Sequence, residues 1–61
     1  MRTIIKLNGH YYEAYAEDLC ELAEDFINNI NHVCEITLKD DTVRFEWPGI
    51  NCFTFLRLSK K

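Results

Sequence analysis

Residues 16–31 read AEDLCELAEDFINNIN, and the rest of the predicted architecture is arranged around this stretch. On a helix, at about 100° per residue, its apolar side chains fall on one stripe. The stripe consists of Leu19, Leu22, Ala23, Phe26, Ile27 and Ile30. A strand would place Leu19 and Leu22 on opposite faces, because side chains alternate along a strand. We therefore predict an amphipathic helix that ends near His32, after a group of asparagines, which favour helix ends over helix interiors.

The other side of this predicted helix is strongly acidic. It carries five carboxylates and no Lys or Arg; the five are Glu17, Asp18, Glu21, Glu24 and Asp25. Acids near a helix N-terminus interact favourably with the helix dipole, by roughly 0.3–1 kcal/mol each when well placed. One interpretation is a solvated surface that keeps a small protein soluble. The functional interpretation is a docking surface for a protein partner with a basic surface, because opposite charges steer association.

The segment before the helix predicts a β-hairpin. Residues 2–7, RTIIKL, include three β-branched residues in a row, which is typical of a strand. The Asn8-Gly9 pair that follows suits a two-residue turn that needs positive φ at both positions. Residues 10–14, HYYEA, would form the returning strand. In the alternative, the helix begins near His10 with Asn8 as its cap. That alternative depends on three residues in phase with the apolar stripe: Tyr12, Tyr15 and Ala16.

A second hairpin is predicted after the helix, from strands 33–39 and 42–47 around the turn Asp40-Asp41. Its register gathers apolar pairs on one face. These pairs are Leu38 with Val43, Ile36 with Phe45 and Cys34 with Trp47. The other face receives Thr37 with Arg44 and Glu35 with Glu46. The two facing glutamates are mildly unfavourable, and the pattern gives no reason for them.

The last predicted strand, 50–58, follows the turn signal Pro48-Gly49 and is apolar on both faces. A two-residue loop would turn one set of side chains to the core: Ile50, Cys52, Thr54 and Leu56. A three-residue loop or a bulge would turn Phe53 and Phe55 there instead. A strand that is apolar on both faces is central in its sheet, packed on both sides, or part of an interface.

The predicted order is thus ββαβββ, an α+β fold in which one antiparallel or mixed sheet packs one amphipathic helix on one face. The opening hairpin, its Asn8-Gly9 turn and the acidic helix resemble the start of β-grasp domains such as the small sulfur-carrier proteins. Those carriers end in a reactive Gly-Gly, whereas this chain ends in the polar tail Ser59-Lys60-Lys61. The resemblance therefore implies an architecture and not a sulfur-carrier activity.

The length of 61 residues predicts a single domain, 1–61, and 48% hydrophobic residues suffice for a core. We expect no membrane span, since no run of about 18 apolar residues occurs. Met1-Arg2 leads into a strand pattern rather than an apolar leader, which predicts a cytoplasmic protein. Three cysteines without a C-x-x-C predict buried small hydrophobes rather than a disulfide framework. A metal site is the weaker alternative, built from His32 and Cys34 with Cys52 or His10.

Catalytic motifs are missing from the sequence. With two glycines and one serine, Ser59, the chain has neither a glycine-rich phosphate loop nor a G-x-S-x-G nucleophile elbow. The Cys and His spacings do not predict a nucleophile with a base and an orienting group. Carboxylates on a solvated helix face have no reason to do acid–base work. We expect no enzyme, no cofactor and no metal.

The charge distribution suggests the function. Between Leu7 and Leu38 the chain has seven acids and no Lys or Arg, within a net charge of −3. We expect a non-enzymatic protein-binding module that uses either the acidic helix face or an aromatic surface of Tyr11, Tyr12 and Trp47. Small acidic proteins of this kind resemble phage and mobile-element inhibitors of host nucleic-acid-handling or defence proteins, in which carboxylates compete for phosphate sites.

The sequence also allows two alternative functions. One is a small homodimeric structural or regulatory protein that uses the last strand or the second sheet face as its interface. The other is a weak nucleic-acid binder, with the tyrosines as a stacking platform and Lys39, Arg44 and Arg57 as a basic patch. Direct nucleic-acid binding is disfavoured, because the tyrosines lie in the segment without basic residues and phosphate affinity comes mainly from Lys and Arg.

Overall fold

The first hairpin forms as predicted. Strands β1 (Arg2–Leu7) and β2 (His10–Tyr15) pair antiparallel, with Leu7 opposite His10 and Tyr12 opposite Ile5. In the turn between them φ is 54° at Asn8 and 84° at Gly9, the positive values that a type I′ turn requires. Residues 10–15 are therefore strand, and the alternative helix start near His10 is wrong.

The computed structural model describes residues 1–58, so the predicted tail of Ser59, Lys60 and Lys61 lies outside the described residues. After the hairpin come the helix α1 (Ala16–Asn28) and three more strands. These are β3 (Glu35–Leu38), β4 (Thr42–Trp47) and β5 (Asn51–Arg57). The predicted α+β fold with ββαβββ order is confirmed, and all strand pairs are antiparallel.

The five strands form one open sheet in the order β1-β2-β5-β4-β3. The last strand is central, and the edges are β1 and β3. Strands β2 and β5 are joined over only two residue pairs, Tyr12 with Arg57 and Glu13 with Leu56. One further backbone bond extends this junction, from the Leu58 N–H to the Tyr11 carbonyl at 2.8 Å. The two halves of the sheet therefore meet along a narrow seam.

The meander β3-β4-β5 has the predicted register in its first hairpin, with Ile36 opposite Phe45 and Leu38 opposite Val43. Strand β3 is shorter than predicted and leaves Cys34 outside it. The β4–β5 connection is a three-residue loop, since Trp47 lies opposite Asn51. Side chains alternate along a strand, so this loop length turns Phe53 and Phe55 to the core and settles the alternative that the sequence left open.

Helix α1 ends at Asn28, earlier than the predicted end near His32. The Asn29 side-chain amide donates to the Asp25 carbonyl at 3.0 Å, and the backbone then turns, with the His32 N–H donating to the Asn29 carbonyl. The Asn29 backbone N–H also donates to the Asp25 carbonyl, at 2.9 Å, so Asn29 caps the end of the helix with both of its donors. As a result Ile30, assigned to the helical stripe from the sequence, lies in the following turn and is 78% exposed.

The core lies between α1 and one face of the sheet, which we call the helix face; the opposite side is the open face. Its buried residues are Tyr12, Ala14, Leu22, Val43, Phe45, Trp47, Phe53 and Phe55. Only the first part of the predicted stripe is well covered, because Leu22 is buried and Leu19 packs beside it, whereas Ile27 is 72% exposed. Phe26 packs edge to face on Trp47, with the two ring centroids 4.9 Å apart.

Candidate docking surfaces

The acidic helix face is on the outside of the molecule, as predicted. Its members Glu17, Glu21 and Glu24 are exposed, and Asp18 is half-buried. Among the described residues, no Lys or Arg forms an ion pair with Glu21 or Glu24. Arg44 lies 3.3 Å from Glu46, and Arg57 donates to the Asp40 carbonyl at 3.1 Å. These arginines therefore serve the sheet and the β3–β4 turn.

Glu17, in the first turn of α1, is held at the N-terminal end of this surface. Its own backbone N–H bonds to the carboxylate and, with the positive Met1 amino group 3.5 Å away, lowers the pKa of Glu17. Both side chains are mostly exposed, so this ion pair is a weak one. Glu17 remains charged over a wider acidic range than an ordinary glutamate.

Asp25 contributes to the fold as well as to the acidic surface. Its carboxylate accepts a hydrogen bond of 2.7 Å from the Asn51 side-chain amide, and the Asn51 carbonyl oxygen accepts from the Cys52 N–H at 2.9 Å. The pair connects the last turns of α1 to the first residue of β5. Asp18 has no ion pair among the described residues but is half-buried, so Glu21 and Glu24 are the two of the five predicted carboxylates that are both exposed and without a described partner.

The proposed aromatic surface does not exist as one surface. Tyr12 and Trp47 are each 1% exposed and belong to the core, so they cannot contact a docking partner in this fold. Tyr11 lies on the open face, where the Lys6 ammonium is 5.5 Å from its ring centroid. The sequence signal missed this separation because consecutive tyrosines of one strand point to opposite faces.

The open face carries paired charges around aromatic rings. Arg2 bonds Glu13 at 3.1 Å and lies 5.7 Å from the Tyr15 ring centroid. A shallow cavity of about 230 Å³ opens next to them, where β2 and β5 separate. Its lining consists of Arg2, Glu13, Ala14, Tyr15, Asp18, Thr54, Phe55 and Leu56. Since Arg2 is already paired with a carboxylate in this cavity, it presents little net positive charge to a phosphate.

The three cysteines form no disulfide in this structure, and two of them are exposed. The prediction of buried cysteines is wrong for Cys20 and Cys52, which are both exposed, and Cys34 is half-buried. Cys34 is the one that packs against the core, and burial raises the pKa of its thiol. Within residues 1–58, no three His, Cys, Asp or Glu side chains come together as a metal site.

Strand β3 is a second candidate surface, and sequence patterning missed it. All four of its residues are exposed, including Ile36 at 51% and Leu38 at 45%. The register placed both side chains correctly on the helix face, but α1 covers β4 and does not extend over the edge strand. An edge strand with exposed apolar side chains and an open row of backbone groups is a surface that can pair with another strand.

Comparisons with known proteins give no match for this chain, whether with protein-family models, with curated proteins or with solved structures. Of the resemblance to β-grasp domains, the fold shows only the order of a hairpin followed by a helix, and no solved structure supports it further. Over the described part of the chain, no helix has the length and apolar character needed to cross a membrane.

Proposed function

We propose that this protein is a non-enzymatic binding module that docks a basic protein surface on its acidic helix face. The observation that supports the proposal is the exposure of Glu21 and Glu24 without a basic partner among the described residues. A surface of one charge sign attracts an oppositely charged partner over roughly the Debye length, about 8–10 Å at physiological salt.

The C-terminal end of the helix leaves apolar surface exposed at the border of the acidic helix face. Phe26 is 42% exposed although its ring contacts Trp47, and Ile27 is more exposed still. Aromatic and aliphatic anchors supply most of the affinity in typical interfaces, whereas charges mainly set the association rate and the specificity. We therefore assign steering to Glu21 and Glu24 and anchoring to Ile27, which follows Glu24 by three residues and so lies next to it on the helix surface.

The basic partner belongs, in this proposal, to the class of proteins that bind nucleic acid. Their cationic surfaces are arranged for phosphates, and carboxylates on a rigid helix can occupy the same sites. A module of this kind would inhibit such a protein by competition, as expected for an inhibitor encoded by a phage or mobile element. The proposal therefore predicts that a polyanion such as heparin displaces the partner.

The test compares the wild-type chain with two variants as immobilised bait. E21Q/E24Q removes two charges from the acidic helix face, and D40N/D41N removes two charges from the exposed β3–β4 turn. We expect a partner that wild type and D40N/D41N retain, that E21Q/E24Q loses, and that heparin or salt elutes. Equal retention of every captured protein by all three baits would contradict the proposal.

A further inference from the structure

We propose that the β3 edge is a homodimer interface, at which β3 pairs antiparallel with β3 of a second copy of this chain. The two sheets would join into one ten-stranded sheet around a two-fold axis through Thr37. This surface is separate from the acidic helix face, so each proposal can fail without the other. Three properties of this edge favour the pairing: the direction of its backbone groups, its charge complementarity and its exposed apolar side chains.

The backbone of β3 leaves two residues with their hydrogen-bonding groups directed outward. The Lys39 N–H donates to the Thr42 carbonyl at 2.9 Å, which marks these residues as a hydrogen-bonded pair of the hairpin. Such pairs alternate along an antiparallel ladder, so Thr37 and Glu35 also direct their backbone groups to β4. The N–H and C=O groups of Ile36 and Leu38 therefore point to the open edge.

An antiparallel second β3 can satisfy all of these groups. When Thr37 lies on the two-fold axis, Ile36 is opposite Leu38 of the second copy, and each of the two pairs exchanges two backbone hydrogen bonds. On the open face, the same register places Glu35 opposite Lys39 of the second copy, twice by symmetry. The strand is thus self-complementary in both its backbone and its charges.

Neighbouring symmetric registers lack this match. Shifting the axis to Ile36 places Glu35 opposite Thr37, and shifting it to Leu38 places Glu35 opposite Asp41, two acids facing each other. Within one chain, Glu35 lies opposite Glu46, and in the Thr37-centred register each of these two glutamates has a basic partner. Glu46 is paired with Arg44 at 3.3 Å, which leaves Glu35 for Lys39 of the second copy.

Apolar surface lies on the helix face of this edge and would be covered by the dimer. Ile36 and Leu38 of both copies would form one row of four side chains across the axis, continuous with Phe45 and Val43, their partners on β4. Burial of contiguous apolar surface supplies the driving force for such an interface.

The other open edge, β1, is not self-complementary in charge. Two-fold pairing centred on Ile4 would place Arg2 opposite Lys6 of the second copy, and like charges directly opposite are unfavourable. Basic side chains on an edge strand are a common protection against unwanted pairing. The two edges therefore differ, and the structure favours a dimer through β3.

The first experiment is a charge swap, read by sedimentation over a wide range of concentration. We expect a monomer–dimer equilibrium for the wild-type chain. E35K or K39E alone should raise the dimer Kd about tenfold or more, because two attractive cross-strand pairs become repulsive. E35K/K39E should restore a Kd close to that of wild type, since the opposite charges face each other again. Far-UV circular dichroism confirms the fold of each variant.

The second experiment uses a matched pair of prolines. Leu38→Pro removes an N–H that points to the β3 edge, and Ile4→Pro removes one that points to the β1 edge, so neither breaks a bond within the sheet. Leu38→Pro should abolish the dimer and Ile4→Pro should leave it intact.

Several results would overturn this proposal. They are a wild-type monomer at every concentration, assemblies that grow beyond a dimer by pairing β1 with β3, and a dimer that neither single charge reversal weakens. E21Q/E24Q should not change the dimer Kd, which keeps this test apart from that of the acidic helix face.

Discussion

At the scale of single residues, the burial of Leu22 decides how firmly the helix is held. Leu22 is the one buried residue of α1, and its side chain packs into the aromatic core of the sheet. We expect Leu22→Ala to lower the free energy of unfolding by about 2–4 kcal/mol, through lost transfer energy and the cavity left behind. For a domain of this size, such a loss is a large part of the total stability.

Ile27→Ala is the matched control for that substitution. Ile27 belongs to the same predicted stripe and loses a similar volume, but most of its surface is already in water. We expect a change of at most about 0.5 kcal/mol in urea unfolding. Equal losses for the two variants would mean that the helix packs along its whole length, contrary to the structure.

Single residues also show where sequence patterning fails. The period of the stripe identified Leu19 and Leu22 correctly, because it depends only on helix geometry. It could not show that the helix would end just before Asn29, whose backbone N–H and side-chain amide both donate to the Asp25 carbonyl, since the partner that a side chain finds depends on local geometry. The exposure of Ile27 and Ile30 follows from tertiary position, which no short window of sequence contains.

At the scale of elements, the two hairpins were predictable and the central strand was less so. Turn chemistry and alternating side chains set the β1–β2 and β3–β4 registers at Asn8-Gly9 and Asp40-Asp41. The β5 strand is apolar on both faces, so its orientation depended on one residue of loop length after Trp47. The exposed edge of β3 could not be predicted, because it depends on how far α1 extends over the sheet.

The first hairpin gives a prediction of its own at Gly9. An added Cβ there would meet no atom within 4 Å, so the cost of a side chain comes only from the φ of 84°. We expect Gly9→Ala to destabilise the fold by about 1–2 kcal/mol, the usual cost of a left-handed conformation for an L-residue. D-alanine at the same position, introduced by chemical synthesis, should restore the stability in thermal unfolding; a loss as large as that of L-alanine would refute the explanation.

At the scale of the whole molecule, the seam between β2 and β5 is the weakest part of the sheet. It has two residue pairs, whereas β4 and β5 share six. Backbone hydrogen bonds in a region of few contacts open more readily than those of a long ladder. We expect the Leu58 amide, which donates to Tyr11, to exchange its hydrogen well before the amides of Val43 and Phe55.

Native-state hydrogen exchange read by NMR measures this difference directly. A common rate for the seam and for the β4–β5 ladder would show that the sheet opens only as a unit. In that case the contacts of α1, rather than the strand pairing, would hold the two halves together.

The same seam determines how the chain reaches this fold. Every other strand pair joins neighbours across a tight turn, and such hairpins form in about 1–10 μs. The pairing of Tyr12 with Arg57, in contrast, closes a loop that spans most of the chain. The chain loses the entropy of closing this loop before the contacts of the seam can compensate for the loss. We therefore expect the docking of two preformed halves, rather than the growth of either one, to set the folding rate of this protein.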